Sequence, residues 1–115
     1  MIPVKTTGKH VDDSNTRLVG YVAISYDHLV HAFGKPTRQK PSGDDKVRIS
    51  WSIKFADNTV ATIYDWKNYD KSLKWVKENY LEWHIGGKDK YAVDKVLDVL
   101  KEKKVMFARI PLDFK

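Results

Sequence analysis

The sequence predicts an α+β fold, with a mostly antiparallel sheet of four or five strands and two or three helices packed on one face. The prediction depends on an alternating hairpin over 46–67, a helical apolar pattern over 88–104 and a capped short helix after Ser25. A chain of 115 residues is the size of one domain. We therefore place a flexible N-terminal arm at 1–16, rich in polar residues, and a single domain at 17–115.

The first elements of this domain are a candidate strand and a short helix. Residues 17–24, RLVGYVAI, are apolar and partly β-branched, which is compatible with a strand or with a lead-in turn. Ser25 is a suitable N-cap for the helix that follows, because its hydroxyl accepts from the N–H groups of the first turn. Gly34 and Pro36 are typical of a helix end. We therefore predict a helix between Ser25 and Gly34.

The hairpin has the clearest pattern in the sequence. Residues 47–55 alternate between apolar and polar side chains, as a half-buried strand does. Asp57 and Asn58 tolerate left-handed backbone and so predict the turn. In the return strand, Tyr64 and Trp66 share one face and Asp65 lies on the other. We favour the face of Tyr64 and Trp66 as the core face, and we keep a stacking role for Trp66 as the alternative.

The second half of the chain predicts two or three further elements. Residues 68–80 have helical spacing in part and are read as a short surface helix or an irregular excursion. Residues 81–85, LEWHI, predict a short strand, and residues 88–104 a helix with one apolar stripe. Residues 105–114 predict a last strand, which Pro111 assigns to an edge of the sheet.

The composition narrows the classes of function. The chain has no cysteine, which excludes disulfides and thiolate chemistry. No secretory signal or apolar span is evident, so we expect a cytoplasmic protein without a membrane partner. The net charge of +6 favours anionic partners. It is spread evenly, with nine basic against six acidic residues in 1–57 and twelve against nine in 58–115. Nucleic acid is therefore our third choice of partner.

Three segments carry a resemblance to a known type of protein. They are FGKP at 33–36, WSIKFADNTVATIYDWK at 51–67 and EWHIGGK at 82–88. With them, the chain resembles small uncharacterised proteins of tailed bacteriophages and some large DNA viruses, over about residues 24–100. It departs from that pattern in Asn58, where glycine is usual, and in a longer segment at 68–80. The resemblance implies a viral origin, action in the host cytoplasm and, by analogy, a role against host defence.

The sequence contains none of the common catalytic patterns. It lacks a G-x-S-x-G elbow, a phosphate-binding P-loop and a dinucleotide-binding glycine pattern. His28 and His31 have the spacing of a helical metal pair, but no third ligand is evident, and we favour ordinary surface histidines. We therefore expect no enzyme, no metal and no cofactor.

Gly86 and Gly87 are the candidate centre of a ligand site. Placed between a strand and a helix that starts near residue 88, they would expose N–H groups that bind an anion. The simpler interpretation is a tight corner that only glycine adopts easily. For the first interpretation, the proposed donors are His84, Lys88 and Lys67, and the proposed stacking platforms are Trp66 and Trp83.

Three hypotheses follow from these patterns. The first is a non-enzymatic binding protein that sequesters a small anionic ligand of the nucleotide type, and a homo-oligomer would help by enclosing the ligand between protomers. The second is an inhibitor of a host enzyme or defence factor that uses Lys74, Trp75 and Tyr80 as its partner surface. The third is a nucleic-acid-binding module, whose affinity would fall steeply with salt.

Overall fold

The computed structural model describes residues 4–7, 11–39, 47–66 and 71–110. These residues form six strands and three helices, so the predicted α+β class is confirmed. In chain order the elements are β1 (Val4–Thr7), β2 (Arg17–Ser25), α1 (Tyr26–Phe33), β3 (Ser50–Phe55), β4 (Val60–Tyr64), α2 (Leu73–Glu78), β5 (Tyr80–Gly87), α3 (Tyr91–Glu102) and β6 (Ala108–Ile110).

The six strands form one antiparallel sheet in the order β1-β3-β4-β5-β2-β6. The predicted mostly antiparallel sheet is confirmed, and one further strand joins it. A strand within the predicted N-terminal arm, Val4–Thr7, pairs with β3 at one edge. At the other edge, Ala108–Ile110 pairs with β2, as expected for the last strand. Residues 17–24 form a strand rather than a lead-in turn.

Helix α1 begins and ends where the sequence predicts. The Ser25 hydroxyl accepts from the backbone N–H of His28 at 3.2 Å. Gly34 has a φ of 83° and donates its N–H to the carbonyl of Val30. This left-handed backbone favours glycine. The carbonyl of Gly34 then accepts from the indole Nε1 of Trp51 at 2.9 Å, which fixes the helix end against β3.

One face of the sheet carries the core, and the three helices cover it. Alternate residues of β3, β4 and β5 point into this face and are fully buried, and Val76 of α2 joins the same cluster as the apolar residues of α1 and α3. The two largest of these side chains, Trp51 and Trp83, pack edge to face with ring centroids 5.6 Å apart. In the described part of the chain, no helix is long and apolar enough to cross a membrane.

Helix α3 lies unusually close to the sheet. A Cβ added at Gly20 of β2 would stand 2.7 Å from a methyl carbon of Val93, and one added at Gly87 would overlap the Cβ of Ala92. Side chains at these two positions would push the helix outward. The two glycines therefore set the distance between α3 and the two strands below it.

The hairpin turn is tied to α3 by a charge pair. Asn58 has a φ of 73°, as the predicted turn requires. Asp57 accepts the N–H of Thr59 at 3.0 Å, and its other oxygen lies 3.1 Å from the Lys95 ammonium. These hydrogen bonds, first those to Thr59 and then that to Lys95, lower the pKa of Asp57 to about 2.

Replacing Gly87 by alanine should destabilise the protein by about 1–3 kcal/mol, because the new methyl group overpacks the contact between strand and helix. We expect Ala92→Gly to relieve that clash, so the double variant should lose less stability than the sum of the two single variants. Urea denaturation of all four proteins measures this coupling. Strictly additive losses would contradict the close approach.

The contribution of Asp57 to stability should depend on pH in the acid range. Its pKa is depressed on folding, so the contribution is present above the unfolded value near 3.8 and is lost as the pH falls through about 2. We expect Asp57→Asn to lower the melting temperature at pH 7. The difference from the wild type should shrink between pH 4 and pH 2, as thermal melts by circular dichroism would show. A difference that stays constant over this range would contradict the lowered pKa of Asp57.

Candidate functional site

Gly86 and Gly87 lie inside a strand, and the predicted corner between strand and helix is wrong. Both residues belong to β5 and are paired on both sides, with β4 and with β2. Neither has the positive φ that a glycine corner would require. Two consecutive glycines are typical of a corner, but they also occur inside a strand that other groups approach closely on both faces.

The N-terminus of α3 is not open to an anion as predicted. The helix begins at Tyr91 rather than near residue 88, and the Tyr91 N–H is taken by the Asp89 carboxylate at 2.9 Å. This carboxylate brings negative charge to the position where the ligand was expected. The Lys88 side chain is exposed, and the Lys88 carbonyl accepts from the Arg17 guanidinium at 3.0 Å.

The candidate site lies instead on the face of the sheet opposite the helices, here called the open face. The strand register places two rows of side chains across it, two residues apart and so separated by roughly 7 Å. The first row is largely aromatic, and the second has small side chains at three of its four positions. The first row comprises Ser50, Tyr64, His84 and Tyr21, and the second comprises Ser52, Thr62, Gly86 and Leu18.

Gly86 makes a depression in the second row. A Cβ at this position would overlap the Thr62 hydroxyl oxygen and lie 3.5 Å from the ring of Tyr64. Because the neighbouring residues are also small, the sheet has a hollow of about 300 Å³ here, open to solvent. We call it the open-face pocket. Its floor is formed by Ser50, Ser52, Thr62 and Gly86.

One end of the pocket is aromatic. Tyr64 and Trp66 form its wall, and His84 stacks on Trp66 with centroids 5.6 Å apart and planes inclined by 23°. Tyr21 packs edge-on against the other side of His84 at 4.9 Å. Burial raises the pKa of Tyr64, and the nearby Tyr21 adds to the effect, so the Tyr64 phenol stays protonated at neutral pH.

The other end of the pocket is polar and carries both signs of charge. The segment before β2 crosses this end and contributes Asp13 and Thr16, and Arg17 follows as the first residue of β2. The Ser52 hydroxyl donates to the Asp13 carboxylate at 2.7 Å, which ties this segment to β3. The Thr16 hydroxyl donates to the Asp13 carbonyl at 2.8 Å. These contacts hold the Asp13 carboxylate at this end, while the Arg17 guanidinium is bonded to the Lys88 carbonyl just after β5.

The predicted ligand residues are only partly brought together. Trp66 and His84 meet on the open face, and Gly86 lies in the pocket floor. The preferred assignment of Tyr64 and Trp66 to the core face was wrong, because Ala61 and Ile63 occupy that face. Lys67 lies outside the described residues.

The predicted role of Trp83 as a stacking platform is wrong. Its side chain is fully buried in the core, and its indole Nε1 donates to the carbonyl of Ile24 at 3.0 Å. Alternation along β5 separates it from the open face, because His84 and Gly86 point to one side while Trp83 and Ile85 point to the other. Gly87 also faces the helix side, where it meets Ala92.

The predicted partner surface lies on a different part of the molecule, and its side chains are exposed. Lys74 is near Glu78 at 3.8 Å, and the ammonium of Lys71 lies 5.0 Å above the ring of Trp75. Tyr80 is 53% exposed and packs edge-on against His28 of α1, whose Nδ1 is also 3.2 Å from the Met106 carbonyl. His28 thus contacts protein groups rather than a second histidine.

Sequence reasoning missed the polar end of the pocket. Asp13 was assigned to an arm and Arg17 to a strand start, and nothing in their spacing connects them with Ser52. Val47 also lines the pocket, because the regular strand begins only at Ser50. The sequence did contain one signal for the pocket, the small hydroxyl residues at 50, 52 and 62. When such residues lie across from a glycine on one face of a sheet, they leave space there.

Comparison with protein-family models, curated proteins and solved structures gave no match to this chain. Within the described residues, no group of three or more His, Asp or Glu side chains is arranged to hold a metal ion. The pocket itself is therefore the basis for the proposed function.

The two tryptophans should respond differently to truncation. Trp83→Ala should cost about 3–5 kcal/mol because it empties a fully buried site. Trp66→Ala should cost less, about 1–2 kcal/mol, since Trp66 is 39% exposed and buries less apolar surface than Trp83. Chemical denaturation followed by circular dichroism measures both. Equal losses would contradict the assignment of the two residues to opposite faces.

Proposed function

We propose that this protein is a non-enzymatic binding protein that sequesters a small ligand of the nucleotide type in the open-face pocket. The observation that carries the proposal is the division of the pocket into an aromatic end and a polar, charged end. A planar base and a hydroxylated, anionic sugar phosphate present the same two chemistries. The volume of about 300 Å³ is at the lower limit of pockets that enclose small molecules.

At the aromatic end, a base would lie against Trp66. The indole of Trp66 is 39% exposed, and His84 stacks on it and limits its movement. Stacking of a base on an aromatic side chain contributes about 1–3 kcal/mol and tolerates different bases. The protonated Tyr64 hydroxyl is available as a hydrogen-bond donor at this end.

At the polar end, Arg17 would meet the phosphate. A guanidinium has five N–H donors, and one of them donates to the Lys88 carbonyl. That contact leaves further N–H groups that can pair with phosphate oxygens in a bidentate way. The hydroxyls of Thr16 and Ser50 add short polar side chains to the same wall and floor.

Sequestration fits this pocket better than turnover. The Ser52 hydroxyl is bonded to the Asp13 carboxylate, but this contact ties the segment before β2 to β3, and the histidine beside the pocket is held between rings. Together with the resemblance to small viral proteins, this supports a counter-defence role in the host cytoplasm, in which a nucleotide signal is removed by binding. A homo-oligomer would enclose the ligand further.

The proposal is tested by substituting two tryptophans of equal exposure. Trp66 and Trp75 are 39% and 38% exposed, but only Trp66 lines the pocket. Native mass spectrometry of protein from a bacterial host with active nucleotide-signalling defences would report retained ligand and oligomeric state together. We expect an added nucleotide mass with the wild type and with Trp75→Ala. Trp66→Ala should bind at least about ten-fold more weakly.

A second variant fills the pocket without removing an aromatic ring. Gly86→Ala places a methyl group against the Thr62 hydroxyl, which must shift to admit it, and a thermal melt would show whether the variant folds. We expect the methyl group to reduce nucleotide retention, and Thr62→Ala in the same chain to restore part of it. Retention of a nucleotide by both Trp66→Ala and Gly86→Ala would contradict the site.

A protein partner is the second candidate, favoured by the exposure of Trp75 and Tyr80 beside several lysines. Exposed aromatic residues next to cations are typical of interface centres. If the wild type carries no added mass, and Trp75→Ala and Tyr80→Ala each abolish capture of one defined host protein, this candidate replaces the first.

A further inference from the structure

We propose that Asp13 hydrogen-bonds the sugar of the bound nucleotide and makes the open-face pocket selective for ribose over 2′-deoxyribose. This inference rests on the proposed function, because it concerns the same pocket. It adds a residue that the sequence had placed in an arm, and it specifies the class of ligand.

The position of Asp13 is fixed by two independent contacts. Its carboxylate accepts from Ser52 of β3, and its carbonyl accepts from Thr16 on its own segment. Ser52 lies in the same row as Thr62, whereas Tyr64 is one row further along β4 and Trp66 lies beyond it. Four residues of extended chain separate Thr62 from Trp66, which is on the order of 13 Å. A base on Trp66 would therefore place the sugar, rather than the base, near Asp13.

The chemistry of a carboxylate selects hydrogen-bond donors. An ionised carboxylate only accepts, and its two oxygens offer about four lone-pair positions. Ser52 occupies one of them at 2.7 Å, so others remain for the ligand. Facing a nucleotide, Asp13 would repel the phosphate and accept from neighbouring hydroxyls. The 2′- and 3′-hydroxyls of ribose form such a pair, as in the carboxylate contacts of dinucleotide-binding folds.

The two charges at this end therefore have different tasks. Arg17 would attract the phosphate, and Asp13 would exclude it from its own corner and orient the sugar. A 2′-deoxynucleotide lacks the 2′-hydroxyl, so the Asp13 carboxylate would accept one hydrogen bond fewer from it. Sites that are built to hydrogen-bond a hydroxyl discriminate strongly against an analogue that lacks it.

The test measures binding of ribonucleoside monophosphates and of their 2′-deoxy counterparts, with adenine, guanine and cytosine as bases, by isothermal titration calorimetry. With the wild type, we expect at least one ribonucleotide to bind about ten-fold or more tightly than its deoxy form. Asp13→Asn keeps the size of the side chain but makes one position a donor, and it should bring the ratio close to one. Ser52→Ala, which frees the carboxylate, should reduce the ratio less.

The outcomes separate this inference from the proposal on which it rests. Equal binding of ribo and deoxy forms by the wild type would overturn the role of Asp13 and leave the nucleotide pocket standing. So would undiminished selectivity in Asp13→Asn. If no nucleotide of either kind binds to the wild type, both proposals fail. A thermal melt would reveal whether Asp13→Asn folds. If it does not, the comparison of ribo and deoxy forms on the wild type still tests the inference.

Discussion

Two adjacent residues without side chains, Gly86 and Gly87, are the constraint on which both faces of this sheet depend. They occupy β5, between β4 and β2. Because successive residues of a strand point to opposite sides, one glycine faces the helices and the other faces the pocket. Gly87 lets α3 approach until Ala92 is in contact, and Gly86 leaves the space above Thr62 open. The closely packed core and the hollow opposite it thus arise from one dipeptide.

The same alternation divides the aromatic residues into two groups with different tasks. Trp51 and Trp83 are fully buried, pack against each other and donate their indole N–H groups to backbone carbonyls. Tyr64, Trp66 and His84 form the second group on the open face, where the rings pack against one another without helical cover. A buried polar ring group is stable only with a partner, and both core tryptophans have one.

Asp65 connects the two faces at the end of β4. Its carboxylate is buried and accepts the N–H groups of Arg48 and Ile49 at 2.8 and 2.9 Å, while its own N–H donates to the Ile49 carbonyl. These bonds hold the chain before β3 against the chain after β4. Val47 and Trp66, which flank this junction, both line the pocket. The position of the pocket wall is therefore set by a carboxylate that lies on the core side.

The sequence by itself determined the elements that depend on residues close together in the chain. The cap at Ser25, the end at Gly34, the turn at Asn58 and the apolar stripe of α3 each depend on residues within one or two turns of chain. What only the tertiary structure decided was which face of each strand is covered, because Tyr64 and Ile63 are both acceptable core residues. The pocket depends on the non-local pairing of β5 with β2 and β4, and on a bond between Asp13 and Ser52, 39 residues apart. No spacing rule connects such residues, since the contact exists only after the sheet has formed.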